Sequence, residues 1–318
     1  MKMLYLKILL LLSRYLFVTR HHLRKVAFLH KLLDEILIYI QRYAFDFSKR
    51  LKPFVIEIEN CDVEIRTLLT SRDVSMYLWA IRSLLYYSEV KCPVIVHDDG
   101  KLTAEDYVTL QESLPGIKII SRQETDPLIE LKLKEFPKCL EYRKQNILTL
   151  KMFDFNLLSK SEKILSFDSD ILFFRQPAEL IQNINLVSNE IIYNCEFNNP
   201  VYSINATITE SFPFVLPGFN SGLMCYVRED FQLAEIAEIV DWVYLHQEYL
   251  SRLDEQVIYA ILAERKLSRP LSSQYCADLQ PKVRENKFVC RHYHTCLRYA
   301  FALEGIKELL RLKPKFLM

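Results

Sequence analysis

Asp168-Ser169-Asp170 closes the apolar run Lys163-Ile-Leu-Ser-Phe167, and a second apolar run, Ile171-Leu-Phe-Phe174, follows at once. In an extended chain residues i and i+2 project to the same side, so the spacing predicts two carboxylates aimed at one point. Paired carboxylates suit a hard divalent cation, and such a cation holds a diphosphate and assists its departure. An isolated D-x-D is usually a pair of solvated acids at a strand end. Here the apolar flanks draw both carboxylates inward.

Such a pair needs a sheet to position it. From Ile65 the pattern alternates between strand and helix: a strand over 65–71, a helix over 73–87 with Tyr77, Ile81, Leu84 and Leu85 on one face, and a strand over 93–97. Thr103 then caps a helix, with Asp106 three residues on to answer it. A short strand over 117–121 follows, and a helix over 142–158 leads into the strand that carries the motif. This order predicts an α/β fold with a mostly parallel sheet covered on both faces. Ligands of such sheets bind beyond the carboxyl ends of the strands. Ser71-Arg72-Asp73, Asp98-Asp99 and Asp168-Ser169-Asp170 all fall there.

Beyond Phe174 the alternation weakens. Residues 194–217 are aromatic and rich in Asn and Pro without a period, which suits a substrate wall. Phe219 to Tyr226 reads as a strand, helices are expected near 230–247 and 254–265, and 288–293 reads as a late strand. A terminal helix over 299–312 is interrupted by Gly305.

Composition narrows the classes. The chain has 318 residues, half of them hydrophobic, and a net charge of +1, so nothing global points to nucleic acid. Its five glycines include none before Gly100, which excludes a P-loop and a G-x-G-x-x-G turn. Charge is uneven: residues 1–52 carry 11 Lys/Arg against 3 Asp/Glu, and the remainder 30 against 37. We read 1–52 as a basic amphipathic helical segment and 53–318 as the main domain. Leu29, Leu33, Ile36 and Ile40 recur at helical spacing, so residues 3–45 either pack on the domain or rest on an anionic membrane surface. The apolar stretch near Ile8 is too short to span a bilayer and lacks a cleavage site. The expected location is therefore the cytoplasm, with peripheral contact at the cytoplasmic membrane face. Eight scattered cysteines then read as reduced thiols, and the glycosylation pattern Asn205-Ala-Thr207 carries no weight.

Three features together resemble the GT-A glycosyltransferases, most closely the retaining nucleotide-sugar enzymes of glycosyltransferase family 8 and its bacterial relatives. They are the apolar strand ending in Asp168-Ser-Asp170, the segment Phe219-Asn-Ser-Gly222, and a late histidine. The resemblance covers residues 63–305 and implies a GT-A fold. It also implies a nucleotide sugar donor, UDP-linked, and transfer with retention, the leaving phosphate assisting the acceptor hydroxyl on the donor's front face. Lys151, 17 residues before Asp168, stands where the family has a basic residue. His292-Tyr-His-Thr-Cys-Leu-Arg298 aligns with the family's closing motif, which implies His292 on the metal with Asp168 and Asp170, and Arg298 on the phosphates. His294 is the alternative ligand. Thr295 replaces the motif's Gly, its Pro-Trp is missing, and Asp254-Glu-Gln256 stands where Asp-Gln-Asp is usual.

Two carboxylates and an imidazole suit Mn²⁺, with Mg²⁺ as a substitute. Lys151 and Arg298 would add positive charge where negative charge develops. Ser169 and Asn220 complete the donor-side set. Asp98 or Asp99 would accept hydrogen bonds from the base or ribose, or form a plain turn with Gly100, and the turn from Thr70 to Asp73 would support the nucleotide. Asp254 and Glu255 are the candidates near the sugar. The acceptor is a glycan, lipid-linked or protein hydroxyl. Two other readings stand beside this one. A haloacid-dehalogenase-type phosphatase would use Asp168 as nucleophile and Asp170 as general acid, and a non-catalytic relative would bind the nucleotide sugar without turnover.

Overall fold

The structure is a computed structural model that describes residues 2–22, 27–59, 61–185, 190–197, 218–245, 254–277, 288–294 and 297–317. Its centre is a ten-stranded sheet in the order β3-β2-β1-β4-β7-β6-β9-β10-β5, with β8 paired to β6. The first four strands along the chain are β1 (Val63–Leu69), β2 (Val94–Asp98), β3 (Lys118–Ile120) and β4 (Lys163–Phe167). They are parallel neighbours. β5 (Ile171–Phe173), β6 (Ile191–Cys195), β7 (Phe219–Val227), β8 (Ser268–Pro270), β9 (Tyr275–Cys276) and β10 (Cys290–His292) complete the sheet. β7 runs antiparallel between β4 and β6, and β5 antiparallel to β10.

Strand order explains where a crevice forms. The chain passes outward from β1 through β2 to β3, then returns to place β4 on the other side of β1. The strand order therefore reverses between β1 and β4, and the gap beyond their carboxyl ends is a topological switch point. Thr70 to Asp73 and Asp168 to Asp170 flank that gap.

Both faces are covered, as the alternation predicts. The helix α3 (Val74–Ser88) buries Tyr77, Ile81 and Leu84 against Ile65, Val96 and Leu165. On the opposite face α7 (Leu150–Leu158) and α10 (Asp254–Glu264) bury Phe153, Val257 and Ile261 with Ile164 and Met224. Between these lie, in chain order, α4 (Ala104–Ser113), α5 (Arg122–Lys132), α6 (Pro137–Gln145), α8 (Ala178–Asn185) and α9 (Leu233–Leu245). The expected capping box of α4 is present: Thr103 Oγ1 accepts from the Asp106 N–H, and the Asp106 carboxylate accepts from the Thr103 N–H.

The structure corrects several expectations. The single helix over 142–158 is two, α6 and α7, joined by a 3₁₀ turn, because Asn146 takes an extended backbone and its side chain accepts from the Leu148 N–H. A polar side chain that satisfies the backbone locally competes with helix continuation. The terminal helix is not broken at Gly305; residues 298–312 run on through a π-helical segment, Phe301–Ile306. A Cβ on Gly305 would meet Leu172 Cδ1 at 2.5 Å and the Tyr293 hydroxyl at 2.8 Å, so glycine permits close approach there.

The cysteines are not all thiols. Cys61 and Cys92 form a disulfide, their Cα atoms 5.6 Å apart. β1 and β2 pair with Ile65 opposite Val94, which puts the residues just ahead of each strand side by side. That adjacency belongs to strand register and leaves no mark in cysteine spacing. Cys139, Cys195, Cys225, Cys276 and Cys290 are buried thiols.

The basic head forms two helices, α1 (Lys2–His22) and α2 (Ala27–Asp46). Leu6, Leu10, Ile40, Ala44 and Phe47 share a core with Trp79 and with Phe301, Ile306 and Leu309 of the closing helix. Trp79 Nε1 donates to the Ala44 carbonyl at 3.0 Å and Arg82 Nη1 to the Ser48 carbonyl at 2.6 Å, which fastens the head to α3. Its buried face differs from expectation: Leu37, Ile40 and Ala44 point inward, whereas Ile36 is 36% exposed. Leu29's side chain, Asn205 and residues 198–217 of the expected substrate wall lie outside the described residues. Among the described residues no helix is long and apolar enough to cross a membrane.

Candidate metal centre and donor site

Asp168, Asp170 and His292 converge, with one ligand atom from each lying within 4.8 Å of the others. Extended i, i+2 geometry is not the cause, because Ser169 and Asp170 form a turn between β4 and β5. Register is the cause. The Asp168 N–H donates to the Gly222 carbonyl at 2.8 Å, which holds the end of β4 against β7. His292 sits opposite Ile171 in the β10–β5 pair, and the Tyr293 N–H donates to the Asp170 carbonyl at 2.8 Å. Thr67 Oγ1 of β1 donates to the Phe167 carbonyl at 2.7 Å, just ahead of the motif.

The imidazole is held in one tautomer. Asn220 Oδ1 accepts from the Gly222 N–H at 3.1 Å, while its Nδ2 donates to Glu196 Oε1 at 3.1 Å. A backbone N–H can only donate, so the amide orientation is fixed. His292 Nδ1 lies 2.9 Å from that same Oδ1 and must carry the proton. In the neutral ring Nε2 then presents a lone pair. It is buried, 2.9 Å from Asp170 Oδ1 and 3.8 Å from Asp168 Oδ2, yet aligned for a hydrogen bond with neither. An orphaned buried imidazole nitrogen between two carboxylates fits a divalent cation, and the Asn220 contact is the outer support that metal-ligating histidines use. Gly222 is part of this fit, because a Cβ there would lie 2.6 Å from His292 Nδ1.

Two cations flank the carboxylates. Lys151 is buried on α7, its Nζ 2.7 Å from Asp168 Oδ1 and 3.7 Å from Glu255 Oε1. Burial favours its neutral form, but the Asp168 and Glu255 carboxylates outweigh that and hold the ammonium above its ordinary pKa. α7 itself is pinned by a buried bidentate pair from Arg143 to Asp154, at 2.6 and 2.7 Å. Arg298, at the start of the closing helix, donates to Asp170 Oδ2 at 3.2 Å and to both oxygens of Asp73 at 3.2 and 2.8 Å. Burial alone would raise the Asp170 pKa; the charge of a protonated His292, together with Arg298, reverses this and holds it well below the ordinary carboxylate range, and a cation on the neutral Nε2 would act in the same direction. A carboxylate kept anionic is a poor general acid, which counts against the phosphatase reading.

Glu255 is buried at the start of α10 and accepts from Ser221 Oγ at 2.9 Å. Burial pushes its pKa up, in part against Lys151 and Ser221. Asp254 begins the same helix, and its side chain lies outside the described residues. Ser169 is buried in the motif turn. Thr70 is half-buried, and its carbonyl accepts from the Asp73 N–H at 2.9 Å.

Asp98 and Asp99 lie beside the end of β1, where the Asp99 N–H donates to the Leu69 carbonyl at 3.1 Å. Asp98 Oδ1 accepts from the N–H groups of Gly100, Lys101 and Leu102, and Oδ2 from the Tyr107 hydroxyl. Its carboxylate organises the loop. His294 is turned elsewhere: Nε2 lies 2.7 Å from the Ala277 carbonyl, and burial with the neighbouring His292 pushes its pKa down to about 4. Glu196 and Ser221 went unnoticed in the sequence. Glu196 lies one residue past β6, and only the β6–β7 pairing brings it to Asn220.

No protein-family model matches the chain, and no curated protein matches it in sequence. Solved structures do match in shape. A galactosyltransferase, LgtC, in complex with donor and acceptor sugar analogs superposes with a TM-score of 0.54 at 12% identity, over 78% of this chain and 95% of that one. Mouse xyloside xylosyltransferase 1 in its apo form gives a TM-score of 0.50 at 14% identity, over 77% of this chain and 99% of that one. At such identities the likeness speaks for architecture alone. The chain has the GT-A glycosyltransferase fold.

Proposed function

We propose that the chain is a metal-dependent glycosyltransferase that moves a sugar from a nucleotide diphosphate donor, UDP-linked, to a glycan, lipid-linked or protein hydroxyl with retention. In this reading residues 53–318 form the transferase domain and 1–52 an accessory head that contacts an anionic membrane surface. The observation that carries it is the orphaned His292 Nε2 between Asp168 and Asp170, at the switch point of a GT-A sheet. UDP and retention rest on the resemblance in motif. Those three residues would hold Mn²⁺ or Mg²⁺, which supplies Lewis acidity to the departing diphosphate.

The chain's own residues do the rest. Lys151 and Arg298 place positive charge on two sides of the carboxylate pair, where the leaving group gathers negative charge. Asp73 fixes the Arg298 guanidinium by a two-point contact, so its direction is set before a donor arrives. Thr70, Asp99 and Ser169 line the nucleotide side of the crevice. Glu255, held by Ser221 and Lys151, is assigned to the sugar side, and Asp254 is assigned there with it from its place next to Glu255 in the chain. In the transfer the bond from the anomeric carbon to the diphosphate oxygen breaks, and the acceptor oxygen bonds to that carbon. The acceptor proton passes to the leaving phosphate.

The test is a thermal-shift panel of UDP and UDP-sugars with and without Mn²⁺. A ligand that binds only the folded chain at 100 times its Kd stabilises it by about 2.7 kcal/mol, so Tm should rise further with UDP plus Mn²⁺ than with either alone. A flat panel across nucleotides and metals would remove the reading. Binding without turnover across a broad sugar and acceptor panel would assign the chain to the non-catalytic alternative.

A further inference from the structure

The head's two faces have different fates. On α1, Leu6, Leu10 and Ser13 are buried toward the closing helix. Leu4, Ile8, Leu11 and Leu12 lie on the opposite side and are 63%, 46%, 54% and 49% exposed. At 3.6 residues per turn those four form one stripe roughly 100° wide. Isolated exposed leucines need no explanation, but four on one face of one helix do.

Charge says what covers them. The first acidic residue of the chain is Asp34; before it stand Lys2, Lys7, Arg14, Arg20, Arg24, Lys25 and Lys31. Two copies meeting through this face would bring like charge against like charge, whereas an anionic surface would complement it. An apolar stripe on a helix without acids is the pattern of a helix lying in the plane of an anionic bilayer surface.

We propose that the outer face of α1 docks on anionic phospholipid, with Leu4, Ile8, Leu11 and Leu12 entering the headgroup boundary and Lys2 and Lys7 reaching the phosphates. The head is braced on the element that carries Arg298. Phe17 stacks on Tyr299 with ring centroids 5.5 Å apart, and Gln41 Nε2 donates to the Arg298 carbonyl at 3.3 Å. Docking therefore seats the bilayer one helix layer from the closing helix. This deepens the transferase reading, on which its second consequence rests: the acceptor is taken from lipid-linked molecules at that surface.

The test uses the full chain in co-sedimentation with phosphatidylcholine vesicles, with and without phosphatidylglycerol. Binding is expected only with the anionic lipid, weakening severalfold when salt is raised. The variant L4Q/I8Q/L11Q/L12Q should lose at least tenfold in partitioning while its UDP response with Mn²⁺ stays unchanged, because all four side chains are about half exposed or more and none belongs to the buried core of the head. Wild-type protein left in the supernatant with anionic vesicles would overturn the proposal, as would equal partitioning by the variant. Self-association abolished by the variant, without vesicle binding, would give the face to a second copy instead. Vesicle binding is read without any turnover, so its failure and the failure of the transferase reading are distinguishable.

Discussion

At the scale of single residues the site is a set of mutual constraints. His292 carries its proton on Nδ1 because Asn220 faces it with an oxygen, and Asn220 faces it that way because the Gly222 N–H and Glu196 fix the amide. Gly222 is required twice, as the donor and as the space the imidazole occupies. Gly222→Ala should therefore displace the ring and weaken Mn²⁺ binding by about 10–100-fold, the usual cost of disturbing a ligand's outer support. Asn220→Ala should weaken it comparably without a steric clash. Titration of Mn²⁺ followed by electron paramagnetic resonance checks both. Unchanged affinity in both variants would show that the metal, if bound, does not use His292.

Elements decide which of these residues meet, and here legibility in sequence was uneven. β2 and β4 were readable because each holds a short apolar run with a polar end, and β1 and β7 because apolar and β-branched or aromatic residues outnumber the polar ones between them. Asp168-Ser-Asp170 was readable because it ends such a run. β8 and β9 are three and two residues long and carry no period of their own. Glu196 and the Cys61–Cys92 bridge follow from strand register, which is a property of pairs of distant segments. The turn at Asp170 was masked by the apolar run that continues into β5.

The β1–β2 pair also carries a buried titratable group. His97 of β2 is buried with its Nε2 2.7 Å from Arg66 Nη1 of β1. Burial, then Arg66, Lys118 and Arg143, hold its pKa well below the ordinary 6.5. Folded His97 stays neutral where the unfolded chain takes up a proton, so its share of stability is complete above about pH 6.5 and is lost as pH falls below it. Each pH unit lower costs roughly 1.4 kcal/mol from this one group. His97→Gln should flatten that part of the profile in urea unfolding measured between pH 5 and 7 (an interval of about two units). Parallel profiles for the two proteins would contradict the assignment.

For the whole molecule, the GT-A architecture was legible from the α/β alternation and the motif together; neither sufficed alone. The crevice follows from the return of β4 to the far side of β1, which draws together groups from β1, β4, β7, β10, α7 and the closing helix. The amphipathic head was legible as helices, but which side it buries depended on Trp79 and the closing helix. The central claim is that Asp168 and Asp170 grip a cation for a departing diphosphate. Its most direct test is release of UDP from a panel of UDP-sugars and acceptors by wild-type and Asp168→Ala protein, each with Mn²⁺ and with chelator. Metal-dependent release by the wild type that the substitution reduces by at least about 1000-fold, a loss of roughly 4 kcal/mol in transition-state stabilisation, is the predicted result. Undiminished release by Asp168→Ala, or release indifferent to chelation, would contradict it.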